Sequence, residues 1–265
     1  MQRVLKSGKE AIGGALKPEL TVIVGMGEVG KPLALILGRA YRCCEVDLAP
    51  VEISEPCEVL HICYPFQIRD FLGTTQHYID RYNPKLTIIN STMAPGTTDA
   101  IYQACGQRPT AYSPVRGKHT RMEADMLRYR KFVAGCDQAA TDAASAHFIG
   151  AGFKTATFPS ARIGELSKLL ETTYFGVLIG WAQEVERLAQ QHGAQFADIN
   201  AFIEEIDFLP AHIFPGVIGG HCVMPNIAIL QQQYASKFLQ AVVESNQQKI
   251  KQTKEAEPRT ELCST

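Results

Sequence analysis

Three glycines, Gly25, Gly27 and Gly30, stand in G-x-G-x-x-G spacing directly behind the β-branched apolar run Thr21–Val24. Such a run suits a strand buried on both faces. Each glycine has a mechanical role in a strand–turn–helix unit. Gly25 makes the tight turn, Gly27 lets backbone approach a pyrophosphate, and Gly30 allows close helix–strand contact. Val29 to Leu37 then reads as a crossover helix, whose first N–H groups and positive dipole end face an anion. Asp47 closes the next apolar stretch, Cys43–Val46, at the interval where an acid meets a ribose 2′-hydroxyl. An acid there favours NAD over NADP, because it repels a 2′-phosphate. Gly25, Gly27, Glu28, Val29, Gly30 and Asp47 are therefore the first cofactor-binding candidates.

The alternation continues downstream. Strands are expected at Glu58–Cys63, Leu86–Asn90, Thr110–Tyr112, Lys131–Ala134 and Phe153–Phe158. Helices are expected at Gln67–Tyr82, Thr97–Cys105 and Ala139–Gly150. Repeated β-α units with buried strands predict an α/β fold with a Rossmann-type doubly wound, mostly parallel sheet over residues 1–159. Residues 1–18 read as a short surface arm or helix.

After Pro159 the pattern becomes all-helical, and residues 160–250 read as a substrate and dimerisation domain. Arg162–His192 is one long helix, with Ile163, Leu166, Leu170, Tyr174, Val177, Trp181 and Leu188 recurring at three- and four-residue steps. Phe175 and Ile179 lie on the opposite side, so burial is expected on two sides, with a homodimer partner the candidate for one of them. Phe196–Ile206 is a further helix, Leu209–Pro225 a Pro/Gly-rich loop, and Ile227–Ile250 mostly helical. The polar stretch 251–265 reads as a frayed tail.

With 26 Lys+Arg against 27 Asp+Glu, the balance gives no reason to expect a nucleic-acid partner. No apolar run reaches membrane-spanning length, and the first twenty residues lack the continuous apolar core of a secretory signal. None of the eight cysteines forms a C-x-x-C pair, which fits a reducing cytoplasm and free thiols. His119, His212, His221 and Cys222 lack metal-ligand spacing, so no metal is expected.

Three polar loops follow strand ends, at the edge where doubly wound sheets bind ligands. They are Tyr64-Pro65, the STMAPGTT segment Ser91–Thr98, and the SPVRGKH segment Ser113–His119. Tyr64, Pro65, Ser91 and Thr92 join the cofactor candidates; Arg116, Lys118 and His119 are substrate-binding candidates. In the long helix, Glu165, Lys168 and Thr172 share a face. A lysine there can polarise a substrate hydroxyl or accept its proton during hydride removal; otherwise it is a solvated surface group. Cys222 follows Gly219-Gly220-His221 just ahead of a helix, a setting that promotes thiolate, though a buried structural cysteine in a tight turn fits the same pattern.

The ordered series VGMGEVG, ICYP, STMAPGTT, SPVRGKH, GELSKLLETTYFGVLIGWAQEVERLA and GVIGGHC resembles the UDP-glucose/GDP-mannose dehydrogenase family over roughly residues 20–235. The resemblance implies NAD-dependent oxidation of a sugar primary alcohol through to a carboxylate. It implies Cys222 as nucleophile, Lys168 as catalytic lysine, Thr92 as the loop hydroxyl, and Thr172 and His221 near the substrate. The chain departs from the family pattern at three places. Val115 stands where a glutamate is expected, Thr172 where an asparagine is expected, and Val223-Met224-Pro225-Asn226 lacks the expected acid. The sequence ends where that family's C-terminal nucleotide-sugar-binding domain would begin, so on this resemblance the expectation is a short form of the family. Gly164 and Lys168 in G-x-x-x-K spacing resemble the β-hydroxyacid dehydrogenases, which perform a two-electron oxidation. A Rossmann-like S-adenosylmethionine-dependent methyltransferase and a catalytically inactive NAD-binding subunit are the remaining alternatives.

Overall fold

The computed structural model describes residues 17–49, 51–207 and 209–256. Of the arm expected at 1–18 and the frayed tail expected at 251–265, residues 1–16 and 257–265 lie outside the described residues, while 17–18 open a strand and 251–256 continue a helix. The chain divides into two compact units after Lys168. In the first unit the strands are β1 (Lys17–Val24), β2 (Tyr41–Val46), β3 (Cys57–Ile62), β4 (Leu86–Ile89), β5 (Thr110–Tyr112), β6 (Lys131–Gly135) and β7 (Thr155–Thr157). They form one sheet in the order β2-β1-β3-β4-β5-β6-β7, in which only the β5–β6 pair is antiparallel. The helices between them are α1 (Gly30–Leu37), α2 (Phe71–Tyr82), α3 (Thr97–Ala104), α4 (Met122–Arg128) and α5 (Gln138–Gly150).

Strand residues alternate between two apolar layers, as pleating requires. Ile23, Val59, Ile88, Ala111 and Val133 pack with α1, α4 and α5. Val24, Leu60, Ile89, Tyr112 and Ala134 pack with α2 and α3. This is the expected doubly wound sheet. Strands β2 and β3 flank β1, so the strand order reverses at β1 and opens a crevice at its C-terminal end.

Several boundaries differ from expectation. Helix α2 begins at Phe71 rather than Gln67, because the Asp70 carboxylate accepts from the Gly73 N–H at 2.9 Å and caps it there. The unexpected α4 follows a 3-10 turn at His119–Arg121 and sends Met122 and Met126 into the first apolar layer. Residues 119–128 are too polar for periodicity to reveal this helix. The last strand is confined to Thr155–Thr157.

Helix α6 (Ala161–Gln191) crosses the division, and the second unit adds α7 (Phe196–Glu204), α8 (Val223–Gln233) and α9 (Lys237–Ala256). The stretch 227–250, expected to be mostly helical, holds two helices separated at Tyr234, and the Ser236 hydroxyl accepts from the Leu239 N–H at 3.3 Å to start α9. Pro225 falls in the first turn of α8 rather than in the loop, where its missing N–H costs no helical hydrogen bond. Ile218, Val223, Ile227 and Val242 form the unit's apolar core.

Of the large apolar stripe of α6, Val177 packs against that core, as does Ile179 from the other side, but the bulkiest members do not. Leu170, Tyr174, Trp181 and Leu188 are 44–60% exposed, and Phe175 is 50% exposed. The face turned inward carries smaller side chains, among them Gly176, Ala182, Val185 and Ala189. A Cβ at Gly176 would sit 2.5 Å from Val223 Cγ1, so helix α8 approaches α6 as closely as a missing side chain allows. Close helix packing selected the small face, which a count of large apolar residues overlooks.

Candidate functional site

At the end of β1, Gly25 has φ of +96°, and its N–H donates to Val46 O at 2.8 Å. A Cβ there would lie 2.6 Å from Tyr64 N, and one at Gly30 only 1.9 Å from Gly25 O. The first and third glycines are thus demanded by contacts inside the chain. A Cβ at Gly27 would meet nothing within 4 Å. That open side of the turn is where a bound group can approach the backbone. Val29 is the N-cap of α1 and supplies no side-chain cap, so the first N–H groups of α1 have no side chain of the N-cap over them.

Asp47 follows β2 and is exposed, and its Oδ1 accepts from the Met26 N–H at 3.3 Å. Acid and glycine turn are therefore tied together. Glu28, in the turn, pairs with His119 at 2.9 Å, which links the third edge loop to the first. The three elements that a dinucleotide needs converge here: open backbone at Gly27, the start of α1, and an acid beyond β2. The residues present fit such a group.

The other edge loops are joined by internal hydrogen bonds. Ser91 Oγ donates to Tyr64 O at 2.6 Å, and the Tyr64 hydroxyl meets Thr75 Oγ1 at 2.6 Å. Burial pushes the Tyr64 phenol well above its usual range. Thr92 is half-buried beside Ser91, and Pro65 is exposed. Val115 is buried in the first apolar layer, where no carboxylate would be welcome. The Arg116 guanidinium lies 5.2 Å from the Phe132 ring and 5.8 Å from the Tyr129 ring, and donates to Arg130 O at 2.8 Å. Lys118 is exposed at its side chain, while its N–H donates to the Asp125 carboxylate at 3.0 Å.

Helix α6 reaches this edge through Glu165, which is fully buried. Its carboxylate accepts from Thr98 N at 2.7 Å and Thr98 Oγ1 at 2.6 Å, and from the Gly96 N–H. Burial raises its pKa, while these three donors act in the opposite sense. The residue that shares a face with Lys168 in the sequence is thus a tie between α6 and the STMAPGTT loop. Lys168 itself lies half-buried one turn further on.

In the second unit, Cys222 is the N-cap residue of α8, half-buried and outside any disulfide. His221 is exposed, and Gly220 has φ of +77°. The loop ahead of Cys222 is held by Asn246 of α9. Its Oδ1 accepts from Ile218 N at 2.7 Å and its Nδ2 donates to Ile218 O at 3.0 Å. Thr172 on α6 accepts from Asn226 Nδ2 at 2.8 Å. Among the described residues no group of three His, Cys, Asp or Glu side chains could hold a metal ion.

Sequence reading missed Glu165 as a tie, Asn246, and Lys131 with its buried partners. A histidine inside the apolar run EVLHIC and a lysine opening the buried strand KFVAG were signals for the last of these.

Residues 162–248 match the central domain of the UDP-glucose/GDP-mannose dehydrogenase family. In that stretch the chain is similar to this family. The match takes in Lys168, Thr172, Cys222 and Asn226. A UDP-N-acetyl-D-mannosamine dehydrogenase of Methanocaldococcus jannaschii is 29% identical over 150 residues, which cover 53% of this chain and 34% of that protein. The chain thus matches about a third of that relative's length. The UDP-D-ManNAc dehydrogenase of Pyrococcus horikoshii superposes with a TM-score of 0.79 at 19% identity, over 89% of this chain and 70% of that one. A 3-hydroxyisobutyrate dehydrogenase of Mycobacterium tuberculosis superposes with a TM-score of 0.65 at 13% identity, over 90% of this chain and 95% of that one. At these identities the structural likeness shows the fold alone.

Proposed function

We propose that the chain is an NAD-dependent oxidoreductase that oxidises the primary alcohol of a sugar or nucleotide-sugar-like substrate. The family match over residues 162–248, which contains both Lys168 and Cys222, carries this reading. Gly25, Gly27, Glu28, Val29, Gly30 and Asp47 would hold the dinucleotide, with Tyr64, Pro65, Ser91 and Thr92 toward its other end. When bound, the nicotinamide supplies a hydride acceptor. Lys168 takes or shares the hydroxyl proton as the alcohol carbon is oxidised. Arg116, Lys118, His119, Thr172 and His221 would contact the substrate. Cys222, at a helix start that favours thiolate, would add to the aldehyde to give a thiohemiacetal; loss of a second hydride, to a second NAD, would turn it into a thioester, which water cleaves to the carboxylate with release of the thiol. The exposed apolar stripe of α6 supports a homodimer through residues 162–192. Among the described residues no helix is long and apolar enough to cross a membrane. Free cysteines within the apolar strand runs support a reducing, cytoplasmic setting.

Absorbance at 340 nm after mixing the protein with NAD and a panel of UDP- and GDP-sugars tests the reading. NADH formation is expected, and is lost in Lys168→Ala. Calorimetry on the same protein with S-adenosylmethionine must show no binding. NADH binding with no turnover on any alcohol would instead mark an inactive binding subunit. A carbonyl product that accumulates, with full rate in Cys222→Ala, would mark two-electron chemistry.

A further inference from the structure

A line of buried polar side chains runs through the first unit beneath the three edge loops. Because β6 is antiparallel to β5, its first residue lies at the edge where the parallel strands end. That residue is Lys131, 4% exposed. Its Nζ donates to Ser113 O at 2.9 Å, Pro114 O at 3.0 Å and Asn90 Oδ1 at 3.3 Å. Three acceptors match the three N–H donors of an ammonium. Asn90, 2% exposed and directly ahead of Ser91 and Thr92, places its Nδ2 3.1 Å from His61 Nδ1. His61 on β3 lies three residues before Tyr64, and its Nε2 is 3.0 Å from His147 Nε2 on α5. Each of the three edge loops is therefore rooted on a member of this line.

Placing a lysine in such a site is expensive, and an apolar residue of like shape would fill it at less cost. The site therefore holds the amine at some expense in stability. What the amine does there is fix two successive carbonyls at the root of the Ser113–His119 loop. That loop carries His119, which meets Glu28 of the glycine turn at 2.9 Å. We propose that Lys131 is a positioning residue: its hydrogen bonds set the spacing of the Ser91–Thr98 and Ser113–His119 loops, so that the far half of a bound dinucleotide is received. This rests on the reading that the first unit takes a dinucleotide. The groups facing the amine are Cys63, His61, Lys168 and Arg116, with His147 behind His61. Burial draws the Lys131 pKa down to about 7; Lys168 and Arg116 push the same way, and Cys63 opposes.

Calorimetry with NADH and with ADP separates this role from bulk stability. ADP reaches only the glycine turn and Asp47. Lys131→Met, which leaves two backbone carbonyls without their donor, should weaken NADH about tenfold and ADP by less than about twofold. Hydrogen exchange on the ligand-free variant should rise in 91–98 and 113–119 but not in α1. Equal weakening of both ligands, or of neither, overturns the role. If Lys131→Met does not fold, Lys131→Gln, which keeps an amide donor, is measured the same way and should show a smaller loss for NADH alone. If neither folds, the wild type decides. Its NADH-to-ADP affinity ratio should fall as pH rises through about 7, where an amine with two donors replaces an ammonium with three. A flat ratio overturns the role. Wild-type protein that binds ADP but not NADH, with normal loop protection, overturns the dinucleotide reading and the proposed role with it, and is told apart from the variant outcomes by the wild-type titration alone.

Discussion

Asn226 Nδ2 donates to Thr172 Oγ1 at 2.8 Å, joining α8 to α6 between two of the positions where this chain departs from the family pattern it resembles. These two positions meet directly, an amide donor on a hydroxyl acceptor. Asn226 is 4% exposed, so an orphaned amide there is costly. Thr172→Val should destabilise the protein by roughly 1–3 kcal/mol in denaturant titration. The double variant Thr172→Val/Asn226→Leu should lose less than the sum of its single changes. Strict additivity would mean that the bond contributes nothing.

Lys168 and Cys222 make separable contributions if the proposed oxidation is right. Lys168→Ala should lower kcat by about 10²–10⁴-fold with NADH affinity unchanged by calorimetry. Cys222→Ala should halve the NADH formed per substrate, because only the step from alcohol to aldehyde survives. Full NADH yield from Cys222→Ala would eliminate the thioester route.

Asp47 is exposed beyond β2 and tied to Met26 N. Asp47→Asn removes the charge that repels a 2′-phosphate while keeping an oxygen for Met26. The ratio of NADH to NADPH affinity should fall by about tenfold in calorimetric titration. An unchanged ratio would remove Asp47 from the cofactor site.

Two buried bases should shape stability against pH. The Lys131 pKa falls from 10.5 to about 7 on folding, so between those values the unfolded chain binds the extra proton. Stability from this group therefore rises from about pH 7 toward 10.5. His61, held neutral by burial beside His147 and Lys131, has a depressed pKa as well. Its contribution is present above its ordinary value of 6.5 and is lost as pH falls below it. Urea titrations of the wild type and Lys131→Met across this range should differ in slope at the alkaline end; parallel curves would contradict the assignment.

Trp181 is 60% exposed and Tyr174 58% exposed on the outward stripe of α6. If that stripe closes a homodimer, Tyr174→Glu/Trp181→Glu should sediment as a monomer where the wild type sediments as a dimer. A monomeric wild type would dismiss the dimer.

The sheet and the glycine turn were legible because both rest on local signals: short β-branched runs, and glycines at positions where a Cβ would strike Tyr64 or Gly25. Helix α6 was found within a residue of its ends. Which of its faces packs most closely was not legible, because the decisive residue is Gly176, a gap rather than an apolar group. Helix α4 escaped notice because only Met122 and Met126 mark its inner side. The Lys131–Asn90–His61 line was out of reach for a different reason: Lys131 and His61 lie on two strands and Asn90 directly follows a third, and only the sheet order brings them together.

The carboxylate of Glu165 sits over the first amides of α3, and Asp70 does the same for α2. Two of the three helix starts along that rim are therefore already occupied by negative side chains of the protein itself. Of α1, α2 and α3, only α1 keeps a positive end without such a carboxylate on its first turn. A phosphate-bearing guest would therefore meet repulsion at two of these helix starts and none from a capping carboxylate at the third, which would decide which end of the molecule leads before any base or sugar is recognised.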